Sequence, residues 1–97
     1  MIGYRFLPPA EAEMTEASLF YEVASTGLGS NFLDDVDRVI KRLREHPYQG
    51  QTISLNLRKA LLHRFPFNLI YSIEANEILI IAVAHYRRRP GYWQGRV

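Results

Sequence analysis

Apolar residues recur at helical spacing along the first half of the chain and at strand spacing along the second. Ala10, Met14, Ala17, Tyr21 and Ala24 are separated by steps of four, three, four and three, which places them on one helical face. A second stripe, Phe32, Val36, Val39, Ile40 and Leu43, marks the clearest amphipathic helix of the sequence. From residue 55 the period shortens to two. Leu55, Leu57 and Leu61 predict one strand up to Leu62, and Phe67, Leu69, Tyr71 and Ile73 predict the next. Ile78 to Ala84 is apolar without interruption, the pattern of a central strand covered on both faces. At the other end, Tyr4 to Leu7 reads as a short opening strand.

Punctuation between these segments agrees with the pattern. Pro8-Pro9 stops the opening strand, because proline cannot donate to a ladder, and Pro9 suits the first turn of a helix. Glu11, Glu13 and Glu16 lie where the helix dipole favours negative charge, and Gly27 is placed to end that helix in a left-handed conformation. Ser30 or Asn31 is the expected cap of the second helix. Asp34, Asp35 and Asp37 fall early in it, and Lys41, Arg42 and Arg44 fall late. Pro47 requires it to end around Glu45 or His46, and Glu74 to Glu77 forms a hairpin turn. The predicted order is β-α-α-β-β-β. That is a single α+β domain over residues 1–97, a helical hairpin packed on a small antiparallel sheet.

Composition narrows the chemistry. The chain has no cysteine, which excludes disulfides, thiolate catalysis and a cysteine-ligated zinc. Its start does not resemble a secretory leader and no apolar run approaches a membrane span, so a cytoplasmic protein without membrane contact is expected. Charge is unevenly spread. Residues 1–54 hold five Lys/Arg against eight Asp/Glu, whereas residues 55–97 hold seven against two. The imbalance peaks in residues 85–97, which carry four arginines, two tyrosines, the only tryptophan and a histidine, with no acid. Guanidinium forks and aromatic faces in that combination suit an anionic partner.

His46, His63 and His85 fall in three different elements without ligand spacing, so no metal is expected, and no motif calls for a cofactor. Gly27-Leu28-Gly29 lacks a phosphate-loop fingerprint, and no nucleophile elbow is present. The helical carboxylates are explained by the dipole. What remains is the basic set. Arg58 and Arg64 share one strand parity, while Lys59 and His63 share the other. Tyr92 and Trp93, beyond the turn forced by Pro90-Gly91, are placed to fold back over the sheet. Such a cluster suits RNA cleavage by its own 2′-hydroxyl, with cations on the phosphate and His85 exchanging the proton. The other reading makes Tyr92 and Trp93 packing anchors and pairs the arginines with acids.

The chain resembles the RelE/ParE superfamily of toxins from type II toxin–antitoxin operons. The likeness runs from Ala10-Glu11-Ala12-Glu13 through Tyr21-Glu22, Gly29, Phe32 and Pro47. It is most specific in Arg64-Phe65-Pro66-Phe67-Asn68-Leu69-Ile70-Tyr71, in Ile81-Ala82-Val83-Ala84-His85, and in Arg88-Arg89-Pro90-Gly91-Tyr92-Trp93 with Arg96. The resemblance implies a growth-inhibiting toxin neutralised by a cognate antitoxin that wraps the helical hairpin and sheet. Two targets follow from it. ParE-like members poison DNA gyrase, and RelE-like members cleave mRNA on the ribosome. For a nuclease, the resemblance implies catalytic roles for His85, Arg87, Arg89 and Tyr92. Target binding falls to Arg58, Arg64, Arg88, Trp93 and Arg96. Asn68 stands where RelE-like strands commonly carry an arginine, which favours the gyrase branch.

Overall fold

A computed structural model describes residues 1–96; Val97, the last residue of the basic tail, lies outside the described residues. Strand β1 (Gly3–Phe6) leads into helices α1 (Pro8–Ala24) and α2 (Leu28–Glu45). A single 3-10 turn (Pro47–Gln49) precedes strands β2 (Gln51–Thr52), β3 (Arg58–Leu61), β4 (Phe67–Glu74) and β5 (Glu77–His85). The sheet order is β1-β5-β4-β3-β2. The four C-terminal strands form an antiparallel meander, but β1 runs parallel to β5, so the sheet is mixed. Parallel neighbours need a long crossover, which the helical hairpin and the meander together supply. As predicted, β5 is an interior strand and is buried on both faces.

The strand expected from Leu55 to Leu62 is shorter, and part of it belongs to a turn. Ile53 N–H donates to Leu57 O at 3.0 Å, which closes a loop between β2 and β3. Leu55 therefore sits at the loop tip, 94% exposed, although its alternation with Leu57 reads as strand. Period-two spacing over three residues cannot distinguish a strand from a tight loop.

The hairpin of α1 and α2 is held by its turn. Gly27 does take the left-handed conformation, at φ 90°, but it does not close α1, which ends at Ser25 in extended backbone; it is instead the residue from which α2 starts. Neither Ser30 nor Asn31 is needed as a cap, because Glu22 of α1 does that work. Its carboxylate accepts Gly27 N–H at 2.9 Å and Gly29 N–H at 3.0 Å, satisfying donors that a helix start leaves open. Gly29 also permits the close approach of the two helices. A Cβ there would fall 2.5 Å from Ser18 O and 2.9 Å from Glu22 Oε1. Gly29→Ala is therefore expected to cost about 2 kcal/mol by overpacking, read as a lower urea midpoint with an unchanged slope.

Side chains from both helices meet the sheet around Phe32, Val36, Leu43, Leu69, Tyr71 and Ile80, all fully or nearly fully buried. The opposite face carries a second cluster of Ile70, Leu79, Ile81, Ala82 and Ala84. A bulge explains why adjacent Ile81 and Ala82 share that face. Ile70 pairs with Ala82 and Tyr71 with Ile80, which leaves Ile81 as the extra residue. Because α2 starts at Leu28, Asp34, Asp35 and Asp37 lie beyond its first turn, out of reach of the dipole, and Asp35 is instead buried. It accepts the backbone N–H groups of His63 (3.2 Å) and Arg64 (2.8 Å), pinning the β3–β4 loop to α2.

Candidate functional site: a tail strapped over the back of the sheet

The face of the sheet away from the helices would expose β5 if nothing crossed it. The tail crosses it. After His85 the chain makes successive turns, with Arg88 N–H on His85 O (3.0 Å), Tyr92 N–H on Arg89 O (3.2 Å) and Gln94 N–H on Gly91 O (2.9 Å). Gly91 and Gly95, at φ 79° and 90°, allow the reversals. Tyr92 and Trp93 then pack against the second apolar cluster, with their rings edge to face at 5.4 Å. The fold-back expected from Pro90-Gly91 is thus present.

Glu13 of α1 fastens this strap. Strand β1 leaves the side of β5 after Phe6, so the backbone of β5 beyond it needs other partners. Val83 N–H donates to Glu13 Oε1 at 3.0 Å, and Ile81 O accepts from Arg96 Nη1 at 2.9 Å. Arg96 meets the same carboxylate with both terminal nitrogens, each at 3.0 Å, while the Tyr92 hydroxyl donates to Glu13 Oε2 at 2.7 Å. The two charged side chains are 14% and 18% exposed. Burial pushes the Glu13 carboxyl up, but hydrogen bonds from Arg96, Tyr92 and Val83 and the Arg96 charge outweigh it, so the pKa is lowered. The Tyr92 phenol moves well above its ordinary range, through burial first and then through its bond to Glu13 and that carboxylate's charge. Arg88 and Arg96 lie 3.9 and 5.1 Å from the Tyr92 ring centre.

The predicted site residues therefore separate into groups. His85, Arg88 and Trp93 line one groove of about 500 Å³ on the back face, together with Lys59 and Asn68. His85 accepts the Arg87 backbone N–H on Nδ1 at 3.0 Å and stands edge-on to Phe67. Arg87 lies beside His85 and Arg88 on the adjoining surface, and Arg89 is exposed at the following turn. Arg58 is apart from these: its Nη1 donates to Gly50 O (2.8 Å) and Tyr48 O (3.1 Å), and its guanidinium packs on the Tyr48 ring. Arg64 is exposed in the loop that Asp35 holds, next to α2. Tyr92 and Arg96 are committed to Glu13. Sequence reasoning counted Glu13 only as a dipole acid. No signal along the chain connects it to partners 70 to 83 positions away.

A helical hairpin packed on one face of a five-stranded mixed sheet is the α+β architecture that the resemblance to RelE/ParE toxins implied. Within that group, the description "ParE toxin of type II toxin-antitoxin system, parDE" matches residues 4–90, and the chain belongs to that family. A solved structure described as "Chromosomal ParDE TA system from P. aeruginosa" is similar in fold, with TM-score 0.69 and 21% identity over 88% of this chain and 96% of that one. No curated protein matches the sequence. Among the described residues, no helix is long and apolar enough to cross a membrane.

Proposed function

We propose that this ParE-family chain arrests growth by binding DNA gyrase as a protein inhibitor and is neutralised by a cognate antitoxin. The observation that carries the reading, beside family membership, is the Glu13 clasp. RNA cleavage would ask a tail tyrosine and several arginines to address a phosphate. Here the Tyr92 hydroxyl is spent on Glu13, and the strand position where RelE-like members commonly carry an arginine holds Asn68. Arg87 and Arg89 remain on an exposed cationic edge, suited to an acidic protein surface.

The test is direct. Purified toxin added to gyrase and relaxed plasmid is expected to block supercoiling, and Arg87→Glu with Arg89→Glu should weaken the block by roughly tenfold or more. The same protein with programmed ribosomes should leave mRNA intact. Cleaved mRNA alongside unimpaired gyrase would replace this reading with the ribonuclease one.

A further inference from the structure

The groove on the back face is walled by two pieces of chain that the fold brings together. Ile53 and Leu57 of the β2–β3 loop line one part of it, and Arg88 and Pro90 of the tail line another. Lys59 of β3 lines the same space. It pairs across the ladder with Ile70 of the back-face cluster, so both side chains belong to this face. No residue of the lining is acidic, and neither Lys59 nor Arg88 makes an ion pair among the described residues, whereas Arg5, Arg38 and Arg96 each reach a carboxylate. Lys59 is also half-buried. A partly desolvated ammonium without a counter-charge is costly until a partner supplies one. The Arg88 guanidinium is held over the Tyr92 ring, 3.9 Å from its centre, a contact made through charge and not through its N–H fork.

From this charge pattern we infer that the groove receives an acidic segment of the protein that the toxin inhibits, with carboxylates on Lys59 and Arg88 and an aliphatic side chain against Ile53 and Leu57. Carboxylates supply the counter-charge that both cations lack, and a guanidinium fork accepts one in two parallel hydrogen bonds. The apolar wall asks for a second kind of group beside the acid. A nucleic acid strand brings negative charge but no aliphatic side chain, and the Tyr92 ring on which a base would stack already carries Arg88. The inference rests on the reading of this chain as a protein inhibitor and enlarges its contact surface. The groove adjoins the exposed edge of Arg87 through the shared residues His85 and Arg88, so one partner can cover both. Complementary charge there sets partner choice and the rate of encounter as well as affinity.

The probe is a short fluorescein-labelled peptide with paired glutamates between leucines, titrated into the purified full-length protein and read by anisotropy. It is expected to bind saturably, about tenfold more tightly than its glutamine counterpart, the same peptide with alanine for leucine, or oligo(dT) of equal length. Lys59→Met and Arg88→Met should each weaken binding by roughly tenfold. Lys41→Met, which removes an exposed cation from α2, should leave it unchanged. Lys59→Met should melt like the parent protein, because its ammonium has no ion-pair partner to lose, so lost binding is not lost fold. Unlabelled acidic peptide should also relieve the inhibition of gyrase. If the protein leaves gyrase unaffected, the gyrase reading fails by itself, and the peptide titration, which contains no gyrase, still decides the groove. Equal binding of the glutamate and glutamine peptides, tighter binding of oligo(dT), or an equal loss with Lys41→Met overturns the inference. So does an acidic peptide that binds without relieving an inhibition the protein does exert.

Discussion

Glu13→Ala is expected to destabilise the protein by about 3 kcal/mol and to free the tail from the sheet, because one carboxylate serves four donors from two parts of the chain. Its removal leaves the Arg96 guanidinium partly buried without a counter-charge, the Val83 N–H without its acceptor and the Tyr92 hydroxyl without a partner. Urea unfolding followed by Trp93 emission measures both effects, since Trp93 should redden before the helices melt. A charge-free pair, Glu13→Leu with Arg96→Met, should recover much of the loss, because an apolar replacement avoids the cost of orphaning one ion. If Glu13→Ala melts like the parent protein, the clasp does not hold the tail.

The same clasp sets a pH dependence. The folded Glu13 pKa lies below its ordinary 4.5, so the protonated carboxyl is disfavoured in the native state. Its contribution is complete above that ordinary value and is lost as pH falls through the lower folded value. Tyr92 acts at the other end. Its folded pKa is raised above the usual 10, so its contribution is complete below pH 10 and declines above it. Thermal melts should therefore fall off in acid, and Glu13→Gln should flatten the acid limb.

Phe32→Ala is expected to cost more, about 4 kcal/mol, and to leave little folded protein at physiological temperature. Phe32 is fully buried where the helices meet the sheet, with ring centres of Tyr21, Phe67 and Phe65 at 5.5, 5.1 and 5.3 Å. Truncation removes the area buried by the ring and leaves a cavity that three other rings, held by α1, the β3–β4 loop and β4, cannot readily collapse into. Phe32→Leu should be far milder, about 1 kcal/mol, since it retains most of the volume. Calorimetry of the two variants decides the point, and equal melting temperatures would remove Phe32 from the centre of the core.

Local pattern revealed the helices and the two long strands because each buries a face whose period survives in the sequence. The α2 stripe, the uninterrupted Ile78–Ala84 segment and the left-handed Gly27 are examples. It failed where the deciding partner is distant. Glu22 replaced the expected cap of α2, and the first turn of that helix moved with it. Leu55 carries the alternation of a strand but sits at a loop tip. β1 alone gives no hint that it joins β5 in parallel, because a short strand fits either direction equally well.

For the candidate site the division is sharper. A cationic aromatic tail after a central strand, and the residue types in it, were legible in the sequence because they need no partners to be recognised. Which of those residues face outward was decided by tertiary structure alone. The bulge at Ile81 and the early departure of β1 leave backbone groups on β5 that a distant glutamate and the penultimate arginine satisfy. Desolvated polar groups must find partners wherever the fold brings them, so Arg96 and Tyr92 were drawn inward to Glu13. Arg87 and Arg89 remained on the surface, and the Asn68 Oδ1 was left buried without a partner.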